Sequence, residues 1–358
     1  MIRVARSIGL RARLAAAPVL LAGVLALTWG ADGARAQSAC AKMDPIRVMI
    51  FASLFNNMVT YIAEDAGFFK RNCLASVLVP VASGPAGMAQ LQAGSLQFSD
   101  SSFDNTLIAR QRGLPIKVVV GESSDTPYAI VARKDLPLPN AAGGYPSVMK
   151  DLIGKKIGVF GLGTGSELFV KTLLRGAGVD PAQVTFVAVG STPTQFAALE
   201  NKAVDATIMA DPGQDLAVHS GIGRIIVDLR RPNVGPQEIQ ALSGTFQVKV
   251  ASEDFIRNNP DVVRRYVEAN RQATDWIRDP KNRSELSRLM KTRVALGREV
   301  ANSDQIFHDL LDQYVRFSSI SIKRSSVDGW NRLQMSAGNI PSAIPFSDVV
   351  WSEAPTID

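Results

Sequence analysis

Histidine and cysteine are nearly missing from this chain, with two of each in 358 residues. That scarcity removes most of the constellations that reveal chemistry in a sequence. No His-Glu-x-x-His helix, Gly-x-Ser-x-Gly elbow, phosphate-binding Gly-Lys loop or Cys-x-x-Cys pair occurs, so metal hydrolysis, serine-nucleophile catalysis, nucleotide hydrolysis and dithiol redox chemistry all lack their signatures. His219 and His308 stand alone, with no nucleophile at a recognisable spacing. No metal site and no cofactor is expected, and the chain reads as a non-enzyme. A dense Lys/Arg stripe with interleaved aromatics is also lacking, which leaves nucleic-acid binding without support. The one long apolar stretch is broken by Pro18 and Gly23, and its core is shorter than the roughly 20 residues of a spanning helix.

That stretch has a different reading. Arg3, Arg6, Arg11 and Arg13 precede a charge-free run from Leu14 to Ala31, and Ala34-Arg35-Ala36 supplies small residues around a cleavage position. This is the layout of a secretory signal peptide over residues 1–36, cleaved near Ala36, and it directs the protein to the periplasm. A lipid-anchored Cys40 would need to follow the apolar core directly, whereas a polar, charged gap and Gln37-Ser38-Ala39 intervene. Residues 1–36 hold five Arg and one Asp, so the mature chain carries +2 rather than the +6 of the whole. Its length suffices for two domains, each with its own core.

Cys40 and Cys73 fall just before the first and second strand-like segments, in a compartment where disulfides persist. Adjacent parallel strands would bring them together, and such a bridge is worth about 3 to 4 kcal/mol on the loop-entropy model. Two unpaired thiols remain the alternative, because sequence does not fix the Cα separation.

Strand-like Ile46 to Phe51 runs into a turn, after which Phe55, Met58, Val59, Ile62 and Ala66 recur at helical spacing until Gly67. The alternation continues with a strand at 75–81, a helix at 85–93, a strand at 96–99, a helix at 103–112 and an apolar run at 116–120. A second series follows: strand 156–160, helix 167–174, strand 184–189, helix 194–201, strand 206–209 and strand 224–229. Such alternation predicts parallel sheets flanked by helices. A shift of 108 positions superposes Ser83 on Ser191, Pro85 on Pro193, Ala89 on Ala197 and Leu91 on Leu199. Either the series is an internal repeat or two strand-helix-strand units look alike; both readings give two similar lobes.

Two extended apolar segments, 128–133 and 245–250, cross between the series, so the second lobe is expected as an insertion in the first. The expected division is lobe one from 44–126 and 252–318, lobe two from 127–251, and a tail, 319–358, wrapped over the surface. Val263, Tyr266, Val267, Asn270, Ala273 and Ile277 mark a helix that packs back on lobe one, and 284–316 is helical by pattern.

The turn Gly161-Leu162-Gly163-Thr164-Gly165-Ser166 suggests a dinucleotide fingerprint but fails it: Ser166 stands where a third Gly or Ala belongs, and no acid ends the next strand. What remains is a set of backbone amides at a helix start, suited to a small anion or polar group. Ser53 to Asn57, Ser83-Gly84, Ser101-Ser102, Ser191-Thr192 and Asp211-Pro212 are further polar strand-to-helix turns. In parallel α/β sheets ligands bind at such places, although Ser, Thr, Asn and Asp there also cap helices. Asp100, Asp104 and Asp211 are open to several readings, as paired carboxylates, as acceptors for a cationic or N–H-bearing ligand, or as solvated, capping residues.

Several stretches carry a family resemblance: Ile46-Arg47-Val48 with its turn, 63–69 (Ala-Glu-Asp-Ala-Gly-Phe-Phe), 91–98, 113–119, 151–159 and 197–206. The chain resembles the substrate-binding proteins of ABC importers for nitrate, sulfonates, taurine and thiamine-pyrimidine precursors over about 44–279. The resemblance implies an α/β, two-lobed periplasmic-binding-protein-like fold of type II, with two crossover strands at its hinge, closing on a small-molecule solute and delivering it to a membrane permease. It places solute contacts at Ser53, Phe55, Asn56, Ser101, Ser102, Thr164, Gly165, Ser166 and Asp211, and the polar turns add Ser83 and Ser191. A monomer is expected. Phe55 and Phe103 are open to stacking on a flat ring or to core packing. No Arg occurs in these turns, unlike in members that hold an acidic solute with Arg. A periplasmic enzyme or a sensory domain on the same fold are the alternatives.

Overall fold

In a computed structural model the described residues are 40–358, apart from residue 82 and residues 297–299, with the side chains at 192 and 193 also left out. The expected signal peptide over 1–36 lies outside the described residues.

Each apolar run of the first series forms a strand and each amphipathic run a helix: β1 (Asp44–Ile50), α1 (Met58–Asp65), α2 (Phe68–Arg71), β2 (Leu74–Pro80), α3 (Gly84–Gln92), β3 (Ser99–Ser102), α4 (Phe103–Gln111) and β4 (Ile116–Ser123). The second series gives β5 (Tyr128–Arg133), β6 (Lys156–Val159), α5 (Gly165–Gly176), β7 (Thr185–Ala188), α6 (Thr192–Glu200), β8 (Ala206–Ala210), α7 (Gly213–His219), β9 (Gly223–Asp228) and α8 (Gln237–Gln240). The chain returns through β10 (Gln247–Ser252) and continues as α9 (Glu253–Asn258), α10 (Pro260–Arg278), α11 (Arg283–Arg293), α12 (Ser303–Phe317), α13 (Arg324–Ser336) and α14 (Phe346–Val349).

The two lobes share one strand plan. The second sheet runs β7-β6-β8-β5-β9, with β5 antiparallel to its neighbours β8 and β9. In the first lobe β1 pairs with β2, a parallel bridge between Val48 and Phe98 joins β1 to the approach to β3, and β10 lies antiparallel between β3 and β4. Each lobe therefore reads second, first, third, crossing, fourth strand, and in each the crossing strand is the antiparallel one. Helices α3 and α6 begin and end 108 positions apart, at N-caps Ser83 and Ser191, as the sequence shift requires.

The two crossover segments are strands, each embedded in a sheet. The crossings proper run side by side just before them: Gly244 donates to the Ser124 carbonyl at 2.9 Å and Phe246 to the Ser123 carbonyl at 3.0 Å. The third strand begins at Ser99, not Leu96, because Leu96 and Phe98 are apolar core residues whereas the ladder with β10 is made by polar residues 99–102.

Helix α10 starts with Pro260 at its first turn, where the missing N–H costs nothing, and buries Val263, Tyr266, Asn270, Ala273 and Ile277 along one face. Tyr266 stacks on Phe98 and Phe69, and Arg265 pairs with Asp44 at 2.5 Å, which fixes the helix on the first lobe. The predicted helical stretch 284–316 is two helices, α11 and α12. Cys40 and Cys73 form a disulfide with Cα atoms 5.5 Å apart, pinning the start of β1 beside the start of β2.

The last residues do more than wrap the surface. Trp330 on α13 is fully buried and its indole N–H donates to the Thr245 carbonyl at 2.7 Å, while Ser326 donates to the Leu242 carbonyl at 2.6 Å. The breaker-rich composition of 319–358 hides this, because the helix shows only Val327, Trp330 and Leu333 as its apolar stripe.

Candidate functional site

A parallel sheet gathers the carboxyl ends of its strands on one edge, where loops rather than helices meet incoming molecules. Here the ends of β1, β2 and β3 give one rim, from turns 51–57 and 102–105 and from residues 81, 83 and 84. The ends of β6, β7 and β8 give the other, from turns 160–166, 189–191 and 210–213. The rims meet. A Cβ built on Gly165 at the start of α5 would stand 2.5 Å from Oδ2 of Asp104 in the first turn of α4. Oδ2 of Asp104 therefore packs against the Gly165 backbone, and a side chain at 165 would require the Asp104 carboxylate to move.

Asp104 is 4% exposed. Burial raises its carboxyl above the usual range, while the Ser102 hydroxyl and the amides of Asn105 and Asp104 pull it back down. Tyr128, at the hinge, feels the same carboxylate, and its phenol is pushed up by burial and by Asp104. Around Tyr128 lie Phe169 at 5.4 Å, Phe246 at 5.8 Å and Phe160 at 5.9 Å, drawn from both sides of the crossing.

On the first rim Ser53 adopts a left-handed φ of 60°, which bends the chain sharply away from β1. Asn57 stabilises the bend by accepting from the Phe51 amide at 2.8 Å and by donating to Asp100. Neighbouring Asn56 has its Oδ1 buried with no donor among the described residues. Phe55, in contrast, is 1% exposed and packs on Phe307 and Tyr314, so its ring has no face free for a solute. Phe103 is likewise fully buried. Ser83 caps α3 by accepting from Ala86 at 3.3 Å. Ser102 accepts from the Asn105 side chain at 2.9 Å, and Ser101 is bonded to Thr106 at 3.1 Å.

On the second rim the Gly-rich turn braces itself. Ser166 Oγ accepts from the Phe160 amide at 3.0 Å, Thr164 donates to the Gly161 carbonyl at 2.7 Å, and the two hydroxyls meet at 2.8 Å. Glu167 accepts from Gly163 at 2.5 Å and pairs with Lys171 at 2.8 Å. Burial would raise its carboxyl, but Lys171 and the Gly163 amide hold it below the usual range. Ser191 is exposed and bonds through its carbonyl to the Thr194 hydroxyl.

Asp211 is not free. Arg230 donates to it at 2.8 Å, Gln214 at 2.5 Å and Gln313 at 2.7 Å, while burial pushes its carboxyl up to about 7 against the pull of Arg230. Arg230 also pairs with Asp215 and Asp228, a buried cluster that anchors the end of β8. Asp100 is likewise occupied: Lys249, fully buried on β10, reaches it at 2.9 Å and lies 3.7 Å from Glu122.

Sequence reasoning missed Lys249, Gln313 and Trp330. A lysine at an inward position of an apolar strand is a readable sign of a buried carboxylate partner; Gln313 on an amphipathic helix gives no such sign. His219 meets Asn302 at 3.2 Å and His308 sits exposed against Phe307, so neither histidine is on a rim. Two cavities are formed, the second of them beside the Arg230 and Gln313 partners of Asp211. One, of about 590 Å³, is lined by Lys117, Glu253, Arg324 and Trp351; the other, of about 370 Å³, by Asp215, His219, Arg230 and Arg316. Among the described residues no group of His, Cys, Asp and Glu is arranged to hold a metal, and no helix is long and apolar enough to cross a membrane.

A family model described as NMT1/THI5 like matches residues 55–283. The riboflavin-binding protein RibY of Chloroflexus aurantiacus is 28% identical over 207 residues, covering 56% of this chain and 52% of that protein. The 4-amino-5-hydroxymethyl-2-methylpyrimidine phosphate synthase THI5 of Saccharomyces cerevisiae is 24% identical over 223 residues, 61% of this chain and 62% of that one. The chain thus spans about half to three fifths of the length of these relatives. Among solved structures, the periplasmic aliphatic sulphonate-binding protein SsuA of Escherichia coli superposes with a TM-score of 0.67 at 14% identity, covering 87% of this chain and 98% of that one. At that identity the likeness concerns the fold, which is the periplasmic-binding-protein fold.

Proposed function

This chain belongs to the NMT1/THI5-like family, and from that premise we propose that it is the solute-binding receptor of an ABC importer, secreted to the periplasm after cleavage near Ala36. It captures a small polar organic molecule between its rims and presents the closed form to a membrane permease. The observation that carries this reading is the contact of Asp104 with the α5 start at Gly165. Two lobes of equal plan, joined by paired crossings, bring their strand ends together where a solute would be enclosed.

In this reading residues 44–126 and 252–318 form one lobe and 127–251 the other, with the tail helix α13 set against the crossings. Solute contacts are assigned to Ser53, Asn56, Ser102 and Thr164, and to the backbone at Gly165 and Ser166. Ser83, Ser101 and Ser191 serve the rims as caps and braces. Phe55 and Asp211 support the site from beneath. The protein acts as a monomer.

Thermal melting of the mature protein against a panel of amines, aminopyrimidines, flavins, alkanesulfonates and nitrate tests the reading. A binder at 100 times its dissociation constant adds about 2.7 kcal/mol of stability. The expected result is a shift with one compound class and recovery of that compound unchanged. No shift with any class would sink the proposal. The yeast relatives named as synthases favour one second reading, an enzyme on the same fold. Recovery of a converted product instead of the added compound would establish it.

A further inference from the structure

The rims contain acids but no Lys and no Arg: turns 51–57, 81–84, 99–105, 160–167, 189–192 and 210–213 include Asp100, Asp104, Glu167 and Asp211 as their only charged residues. Three of these have a cation brought in from elsewhere in the fold. Lys249 serves Asp100 at 2.9 Å, Lys171 serves Glu167 at 2.8 Å, and Arg230 serves Asp211 at 2.8 Å. Asp104 has none among the described residues, although it is 4% exposed and stands at the junction of the lobes.

Taking the receptor reading as its basis, we infer that Asp104 sets the specificity of the cleft: its carboxylate selects a solute bearing a cationic or N–H-rich nitrogen group and repels anions such as sulfonates and nitrate. A buried acid with no cation beside it is costly to ionise, and its helix start offsets only part of that cost. The groups that pull the Asp104 carboxyl back down come from its own helix start, Ser102 and the amides of 104 and 105. Those orient the carboxylate without neutralising it, and they leave Oδ2 directed at the opposite lobe. A positive or strongly donating group entering between the lobes would supply the missing partner, and closure would then strengthen the pair by excluding water. The Asn56 Oδ1, also on the first rim, is a buried acceptor with no donor among the described residues. An anion would meet the reverse situation, a buried acid and no Lys or Arg in the turns of either rim.

The test compares two probe sets on the mature protein, benzamidine, ethylamine and 4-aminopyrimidine against ethanesulfonate and nitrate, by thermal melting and calorimetry. At least one nitrogen probe should stabilise the wild type, and Asp104→Asn should weaken its binding by roughly tenfold or more, the scale of a charged hydrogen bond. Asp104→Ser, which keeps a short polar side chain at the helix start, should behave alike, and the unliganded melting of both variants reports that they fold. Binding of an anion to the wild type in preference to the nitrogen probes overturns the inference while leaving the receptor reading standing. Unchanged affinity of the nitrogen probe in Asp104→Asn also overturns it. Silence of both sets overturns this inference, and the receptor reading falls with it only if the flavins of the wider panel are silent too.

Discussion

Gln313 donates to Asp211 at 2.7 Å, and through that bond a helix packed on the first lobe grips the end of β8 in the second. The same helix stacks Tyr314 on Phe55 of the first rim at 5.6 Å. Helix α12 is therefore a strut touching both lobes. Gln313→Ala removes one of three donors from a buried carboxylate, which should destabilise the protein by about 1 to 3 kcal/mol and push the Asp211 carboxyl still higher. Denaturant unfolding measures the first effect and carboxyl titration by NMR the second. An unchanged midpoint would mean that the strut carries no load.

Asp104 predicts a pH dependence whose sign follows from its raised carboxyl. In the unfolded chain this group ionises near its ordinary value of 3.8, whereas the folded chain holds the proton to higher pH. Its contribution to stability is complete below that ordinary value and is lost as pH rises through the folded one. The unliganded wild type should lose stability relative to Asp104→Asn as pH climbs from the acid range towards neutrality, with the variant the more stable at pH 8. Denaturant midpoints of both proteins across that range check this; parallel curves would contradict it.

Lys249 lies fully buried between two carboxylates, so its removal leaves Asp100 and Glu122 side by side without their cation. Lys249→Met should cost about 3 to 5 kcal/mol. Adding Asp100→Asn and Glu122→Gln to the same protein should recover much of that loss, because the charges that Lys249 balances are then gone. Failure of the triple variant to recover any stability would assign the cost to shape rather than charge.

Trp330 contributes a buried indole to the hinge, 6.0 Å from Phe246 and 6.1 Å from Phe169. Trp330→Ala should destabilise by about 3 to 5 kcal/mol, the range for emptying a large aromatic site. Because Phe169 sits on α5 of the second lobe, the loss should also broaden the interlobe motion, measurable as faster hydrogen exchange at the amides of 244–246.

Much of the architecture was readable because its signals are local. Apolar runs and helical stripes mark nearly every element of both lobes, and Ser83 and Ser191 mark the repeat. Pairing is non-local, and there the reading stopped: nothing in Tyr128–Arg133 or Gln247–Ser252 says that these strands lie antiparallel inside the sheets. The same limit governs the site. Asp104 and Asp211 look alike as acids after strands, yet Arg230, 19 positions further on, occupies one and no cation serves the other among the described residues. Phe55 could be read as a stacking platform until Phe307 and Tyr314, more than 250 positions away, enclose it. Trp330 was hidden by the Ser and Gly around it.

The central claim, that two lobes part and close around a solute, is tested most directly by an interlobe distance. Spin labels at Val77 on β2 and Ile153 before β6, both exposed at 52% and 44%, report it without touching the rims. Pulsed dipolar spectroscopy should give a broad distribution for the unliganded protein that narrows and shortens with whichever probe stabilises it. One distance, the same with and without every stabilising probe, would contradict the account.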